Sequence, residues 1–299
     1  MIMNLSDQIR ASFKTANALT RLIYINLAVF LIIKILSVVF FLMNRRELDQ
    51  VVVGFFALPA DTTALLQRPW TLFTYMFLHY DFLHILFNLL WLFWFGKIFL
   101  EYLDPRKLTA VYLLGGIAGG ILYIAAFNIF PVFEEGRTAS IALGASAAVL
   151  AIVITISFYV PDYRIYLWFF GPVKIKYVAL VTILIDILSI RSGNAGGHIA
   201  HLGGALFGYL YAAQLSKGRD FTRGFNRFLD SAALIFKPKP KMRVKYRKPA
   251  GKAETDLEYN ARKKAEQAEI DRILEKISKN GYDALTREEK ELLFSSSKK

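Results

Sequence analysis

Four histidines and one serine are the residues that could do chemistry in this otherwise strongly apolar chain. The histidines form two pairs, His79 with His84 and His198 with His201, and Ser146 lies between the pairs. A serine hydroxyl becomes a nucleophile when a nearby base accepts its proton, and imidazole titrates in the range that this role requires. These residue types therefore predict nucleophilic attack on a carbonyl carbon, such as that of a peptide bond.

His84 and Asn88 have a spacing that suits a second role in the same chemistry. Residues four apart project from one face of a helix, so both side chains could donate hydrogen bonds to a single oxygen. The tetrahedral intermediate of acyl transfer carries an oxyanion that must be met by donors already in place. The pair therefore predicts an oxyanion site.

The elements that position these residues are predicted to be membrane-spanning helices. The 299 residues are 55% hydrophobic and 15% aromatic, and a helix needs about 20 apolar residues to cross a bilayer. Six runs approach or exceed that length, so we expect an all-α membrane protein with six transmembrane helices. The runs are 22–44, 83–101, 108–130, 142–160, 172–190 and 195–214.

Charge gives the orientation of the predicted spans. The net charge is +13, and residues 216–299 hold 22 Lys and Arg against 13 Asp and Glu. Basic residues are typical of the cytoplasmic side of a membrane protein, so both termini are predicted to be cytoplasmic and nucleic acid is not an expected partner. The chain contains no cysteine, which excludes disulfides and thiolate chemistry.

This orientation brings the polar residues to one depth. The second, fourth and sixth spans run from outside to inside, and the candidate serine, histidines and asparagine all lie early in these spans. They are therefore expected to meet a short distance below the outer surface. Gly204 and Gly208 in the sixth span repeat at a four-residue interval, which is typical of helices that approach one another closely in lipid.

Four motifs identify a family that combines these features. They are "RPW" at 68–70, "HYDFLHILFNLL" at 79–90, "GASAA" at 144–148 and "AHLGGALFG" at 200–208. With them, residues 1–215 resemble the rhomboid intramembrane serine proteases. The resemblance implies a six-helix rhomboid bundle that cleaves membrane-anchored proteins in or beside a transmembrane segment, without a metal or cofactor.

The resemblance also implies a role for individual residues. Ser146 matches the nucleophile and His201 matches the base of a Ser–His dyad. His84 and Asn88, with the backbone N–H of Ser146, match the groups that stabilise the oxyanion. His79 matches a position that structures the long outer loop.

Other positions near the motifs are expected to support this site or depart from the family pattern. Gly144 precedes the serine, and His198 suits a role at the polar rim or as an anchor for a loop. Ala147 stands where the family usually has glycine. Leu150 stands where the family often has an aromatic ring that stacks on the catalytic histidine.

Asp186, near the outer end of the fifth span, could orient His201 as a third member of a triad, or could simply be solvated at the interface.

Two alternatives remain beside the protease. One is an inactive rhomboid relative that binds membrane proteins without cutting them. The other is a metal transporter or metalloenzyme that uses the four histidines. The metal alternative is weak, because no H-E-x-x-H motif occurs and Asp81 is the carboxylate that lies among the histidines in sequence.

The predicted organisation has four parts. Residues 1–21 form a cytoplasmic segment, 22–215 the six-helix protease domain, 216–256 a basic Pro- and Lys-rich linker, and 257–299 a small helix–turn–helix tail. The tail is expected to end its first helix at Gly281 and to begin its second with a capping box of Thr286 and Glu289.

The expected location is the bacterial cytoplasmic membrane, and the expected partners are the lipid bilayer and transmembrane protein substrates. The oligomeric state stays open.

Overall fold

The computed structural model describes residues 17–168, 171–191, 193–236 and 255–296, which fold mainly as helices. The chain divides into two compact units, residues 1–237 and residues 238–299. Most of the predicted cytoplasmic segment (1–16) and the Pro- and Lys-rich stretch 237–252 lie outside the described residues.

Ten α-helices and four short strands make up the described part of the first unit. The helices are α1 Ala18–Leu42, α2 Glu47–Phe56, α3 Thr62–Gln67, α4 Thr71–Thr74, α5 Phe82–Tyr102, α6 Pro105–Ile129, α7 Ser146–Tyr159, α8 Ile175–Ser189, α9 Ala195–Leu215 and α10 Thr222–Phe236. The strands are β1 Leu58–Pro59, β2 Ile141–Ala142, β3 Arg164–Leu167 and β4 Gly171–Lys174. β1 pairs with β2 and β3 pairs with β4, both antiparallel.

Each of the six predicted spans overlaps one of these helices, and the fold is an all-α membrane bundle as predicted. By length and composition, α1, α5 and α6 could each cross a membrane. The apolar helix α7 has 14 residues, about 21 Å of helix, and α8 has 15 residues. Both are shorter than the hydrocarbon core of a typical bilayer, about 30 Å.

The predicted starts of the fourth and fifth spans were wrong. The run 142–160 begins in strand β2, and its helix begins only at Ser146. The run 172–190 begins in strand β4, and its helix begins only at Ile175. Apolar composition does not distinguish a short buried strand from the end of a helix, so the runs included both.

The centre of the bundle is the seam between α7 and α9, and glycine makes it possible. A Cβ atom added at Gly204 would lie 2.1 Å from the carbonyl oxygen of Ala147, and one at Gly208 would lie 2.5 Å from that of Ala151. No larger residue fits without moving the backbone. The close helix packing predicted from the interval between Gly204 and Gly208 is therefore confirmed, and the helix that packs there is α7.

The long outer loop is built around the end of α2. The Arg68 guanidinium donates to the Gly54 carbonyl (2.5 Å), the Trp70 indole N–H to that of Phe55 (2.9 Å), and the Thr74 hydroxyl to that of Phe56 (2.7 Å). The last carbonyls of a helix lack partners within it, and side chains of the loop satisfy three of them here.

Helix α10 follows α9 within the segment that was predicted to be a linker. Asp220 stabilises its start, because one carboxylate oxygen accepts from both the backbone N–H (3.0 Å) and the hydroxyl (2.6 Å) of Thr222. The prediction overlooked this helix because the abundance of basic residues and prolines farther along dominated the segment's composition.

The described part of the second unit is a pair of helices, α11 Asp256–Asn280 and α12 Arg287–Ser296. Gly281 follows α11 with φ of 78°, a conformation that favours glycine. The Glu289 carboxylate accepts from the backbone N–H of Thr286 (2.8 Å), and the Thr286 hydroxyl accepts from that of Glu289 (3.3 Å). The predicted helix end and capping box are confirmed.

Candidate active site

A cavity of about 910 Å³ opens among the helices of the first unit, and the predicted reacting residues line it. Ser146, His201, His84 and Asn88 all contribute to its wall. They come from α7, α9 and α5, so three separate helices converge on one space. Within the described residues no hydrogen bond joins the Ser146 hydroxyl to His201, a separation common in enzymes without bound substrate.

Ser146 is the first residue of α7, which places its backbone N–H at the helix N-terminus. The first four N–H groups of a helix have no partner within it and favour negative charge. Two contacts with other segments of the chain fix the loop before Ser146. The Gly144 N–H donates to the Tyr75 carbonyl (3.0 Å), and strand β2 pairs with β1. Ser146 therefore sits on a fixed turn, at a helix start where backbone N–H groups are available to an anion.

Gly144 is required by both its backbone and its neighbour. Its φ is 126°, which favours glycine. A Cβ atom there would lie 2.7 Å from Cε1 and 2.9 Å from Nε2 of His84. The absence of a side chain at Gly144 therefore lets the His84 ring lie directly against the turn that carries Ser146.

Asn88 lies one turn after His84 and is buried, with 7% of its surface exposed. Its amide nitrogen donates one hydrogen bond to the His84 carbonyl (2.9 Å). An amide nitrogen carries two hydrogens, so one remains to be offered in the cavity. The predicted face shared by these two residues is present, and it borders the cavity.

His79 connects the outer loop to the turn before the serine. Its Nε2 accepts from the backbone N–H of Ala145 (3.3 Å), and its ring centroid lies 5.1 Å from that of His84. Burial, with a smaller contribution from the neighbouring His84, lowers the pKa of His79 to about 4. His79 is therefore neutral at physiological pH, as a ring that accepts a hydrogen bond at Nε2 must be.

The second pair of histidines meets a carboxylate from α8. Asp186 Oδ1 lies 2.8 Å from Nδ1 of His198 and 2.8 Å from Nδ1 of His201. Asp186 is 4% exposed, so solvation at the interface, one of its two expected roles, is wrong. His198 contacts this carboxylate with a side chain that is 19% exposed, and its expected role at the polar rim or as a loop anchor stays a prediction.

This arrangement also corrects the argument against a metal. Asp81 was the carboxylate near the histidines in sequence, but in space Asp186 joins His198 and His201. Their ligand atoms lie within 4.8 Å of one another, a grouping that could hold a metal ion. Sequence proximity missed it because Asp186 belongs to a different helix.

The two departures from the family pattern have different surroundings. A Cβ atom added at Gly119 of α6 would lie 2.6 Å from the Ala147 methyl group, so Ala147 fits because residue 119 has no side chain. Leu150 is buried in α7 and borders the cavity.

Tyr75 is a residue of the site that the sequence did not reveal. Its carbonyl accepts the Gly144 N–H and so holds the turn before Ser146. A contact made by a backbone carbonyl does not depend on the type of side chain, so the sequence carries no signal for it.

Comparison with known proteins agrees with this membrane bundle. The rhomboid domain family matches residues 66–218, about half of the chain. Residues 253–299 match a family of unknown function (DUF6576). The chain belongs to the rhomboid family.

Two relatives illustrate the range of that family. RHOMBOID-like protein 12, mitochondrial, of Arabidopsis thaliana is 34% identical over 161 residues, which cover 51% of this chain and 48% of the relative. Rhomboid protease GlpG of Salmonella newport is 35% identical over 72 residues, which cover 24% of this chain and 26% of the relative. The chain thus spans about half of the first relative's length and about a quarter of the second's.

Proposed function

We propose that this protein is an intramembrane serine endopeptidase that cleaves membrane-anchored proteins in or near a transmembrane segment. The observation that carries the proposal is the convergence of Ser146, His201, His84 and Asn88 on one cavity. A nucleophile, a base and oxyanion donors are the groups that peptide hydrolysis by serine requires.

The reaction proceeds in two halves. The Ser146 hydroxyl attacks the scissile carbonyl as His201 takes its proton, and the backbone N–H of Ser146 with His84 and Asn88 stabilises the oxyanion. His201 then returns the proton to the leaving amine as the C–N bond breaks. Water then enters the cavity and forms a bond to the acyl carbon as it loses a proton to His201. The ester bond to Ser146 breaks, His201 returns the proton to Ser146 Oγ, and the carboxylic acid product leaves.

The proposed orientation places both termini in the cytoplasm and the cavity toward the outer side of a bacterial cytoplasmic membrane. The basic residues at the chain's ends support this orientation. The lipid bilayer and transmembrane proteins are the proposed partners, and the helices α1, α5 and α6 supply membrane spans. The proposed parts are the protease domain at 22–215, preceded by 1–21 and followed by 216–256 and the tail 257–299.

The test is covalent labelling of the detergent-solubilised protein with a fluorophosphonate probe, which reacts with activated serines. We expect the wild type to be labelled, Ser146→Ala to show no labelling, and His201→Ala to react about 10²–10⁴-fold more slowly, because the general base is lost. Ser157→Ala changes a buried serine on the same helix and is the matched control, which should be labelled like the wild type.

The outcomes separate the proposal from its rival. Labelling that survives Ser146→Ala, or folded wild type that is never labelled, contradicts the protease. The second result favours an inactive relative that binds membrane proteins. Cleavage of a reconstituted single-span protein by the wild type, and none by Ser146→Ala, extends the test to the proposed substrate class.

A further inference from the structure

Asp186 is a buried carboxylate on a helix that is otherwise apolar along most of its length. It is 4% exposed, and its neighbours in α8 are residues such as Ile185 and Ile187. A carboxylate in such surroundings is costly unless it is paired and hydrogen-bonded. Its position therefore needs an explanation beyond packing.

Two imidazoles supply the pairing, through a single oxygen atom. His198 Nδ1 and His201 Nδ1 each lie 2.8 Å from Asp186 Oδ1. An ionised carboxylate only accepts hydrogen bonds, so both Nδ1 atoms must be the donors. A neutral histidine that carries its hydrogen on Nδ1 has its lone pair on Nε2.

We propose that Asp186 is a positioning residue that holds His201 in the Nδ1–H tautomer, with Nε2 free to accept the proton of Ser146. His198 steadies the carboxylate through the second hydrogen bond to the same oxygen. The inference rests on the proposed function and extends it from a dyad to a triad.

The proton balance follows from this geometry. When Ser146 Oγ forms its bond to the carbonyl carbon, its proton passes to His201 Nε2 and the ring becomes an imidazolium. The Asp186 carboxylate, which keeps its charge, stabilises that cation. The proton leaves Nε2 for the departing amine when the C–N bond breaks, and the ring is neutral again.

This role also accounts for the departure at Leu150. An aliphatic side chain borders the cavity where the resemblance led us to expect a ring that stacks on the base. Without that ring, the orientation of His201 must be fixed by other contacts. Among the described residues, its ring makes one hydrogen bond, to Asp186, and meets the His198 ring edge-on with the centroids 5.9 Å apart.

A metal ion is the other occupant that these three side chains could take. The hydrogen-bond distances favour the triad, because both N–H groups already satisfy Oδ1 at 2.8 Å. A metal ion bound by these three side chains would overturn the inference.

The experiment measures fluorophosphonate labelling at several probe concentrations, which separates the maximal rate, kinact, from the probe's affinity, KI. For Asp186→Asn we expect kinact to fall at least 10-fold, toward the roughly 10⁴-fold loss known for this change in serine proteases, with KI changed less than about 2-fold. Tyr177→Phe removes a hydroxyl from α8 at a side chain that is 52% exposed and does not line the cavity. It is the control, expected to match the wild type.

A second measurement does not depend on how the aspartate variant folds. Nitrogen-15 NMR of the histidine side chains, recorded on the Ser146→Ala protein, should show His201 with its hydrogen on Nδ1. A hydrogen on Nε2 would overturn the inference.

The remaining outcomes are equally distinct. Unlabelled wild type defeats the proposed function itself. Labelled wild type with an unchanged kinact in Asp186→Asn, or with only KI changed, defeats the inference alone. Zn²⁺ that binds the wild type at micromolar concentration, and no longer binds Asp186→Asn, would assign the three side chains to a metal site instead.

Discussion

The helices α7 and α8 are of almost equal length and both strongly apolar, yet they occupy opposite environments. Every residue of α7 from Ala147 to Ser157 is buried, whereas in α8 the buried residues are Ile175, Ala179 and Asp186. α7 carries the serine in the centre of the bundle, and α8 leaves seven of its fifteen residues exposed. In a membrane protein, apolar composition thus identifies helices without telling the central ones from those that face lipid.

The difference explains how a peripheral helix can still serve the site. Helix α7 is held by backbone contact with α9, at Gly204 and Gly208. Helix α8 contributes one buried carboxylate, which is tied to α9 through His198 and His201. The centre is thus fixed by close packing, while the periphery is joined to the site by specific hydrogen bonds.

The largest expected effect is a direct test of this comparison. Ile152→Ala removes a side chain that is 0% exposed at the centre of α7, and we expect it to lower the free energy of unfolding by about 2–5 kcal/mol. Leu184→Ala removes a 54% exposed side chain from α8 and should cost less than about 1 kcal/mol. Chemical denaturation in detergent measures both, and equal losses would refute the contrast between the two helices.

The second prediction concerns the loop that supports the serine. Burial lowers the pKa of His79 to about 4 from 6.5, so between these pH values the unfolded chain binds a proton that the folded chain does not. The free energy of unfolding should therefore fall by about 3 kcal/mol as the pH decreases from 6.5 to 4, and this loss is absent above that range.

Stability measured across this pH range provides the check. His79→Gln keeps an oxygen that can accept the Ala145 N–H but does not titrate, so the variant should lose most of the pH dependence. An unchanged slope would show that groups other than His79 control acid stability.

The third prediction tests the seam through its glycines. Gly204→Ala should destabilise the protein by about 1–3 kcal/mol, because the added methyl group meets the Ala147 carbonyl oxygen and the backbones must separate. Gly224→Ala in α10 adds the same methyl group where nothing lies within 4 Å. Alanine favours helix over glycine, so this control should be neutral or slightly stabilising.

Thermal unfolding in detergent distinguishes the two variants. If Gly204→Ala retained wild-type stability, α7 and α9 could separate freely and the glycines would not explain their approach.

Much of the fold could be predicted because it is encoded locally. The helical runs, the capping box of Thr286 and Glu289, and the shared face of His84 and Asn88 depend on residues a few positions apart. The start of α7 was not predicted because strand β2 forms by pairing with β1, far earlier in the chain. The start of α8 was not predicted because the apolar run also includes β4, which forms a hairpin with β3, and composition does not separate such a strand from a helix end. The interior helix contact at Gly204 and Gly208 was predictable, because small residues at a regular interval have few other uses in lipid.

The sequence by itself determined which residues could react and which helices carry them, because residue type and helical period are local properties. Only the tertiary structure decided that Asp186 is buried against His198 and His201. The surroundings of Asp186 in α8 are apolar on both sides, so composition does not reveal which face meets α9. That orientation is set by packing among helices, and it converts an acidic residue of uncertain role into the partner of the predicted base.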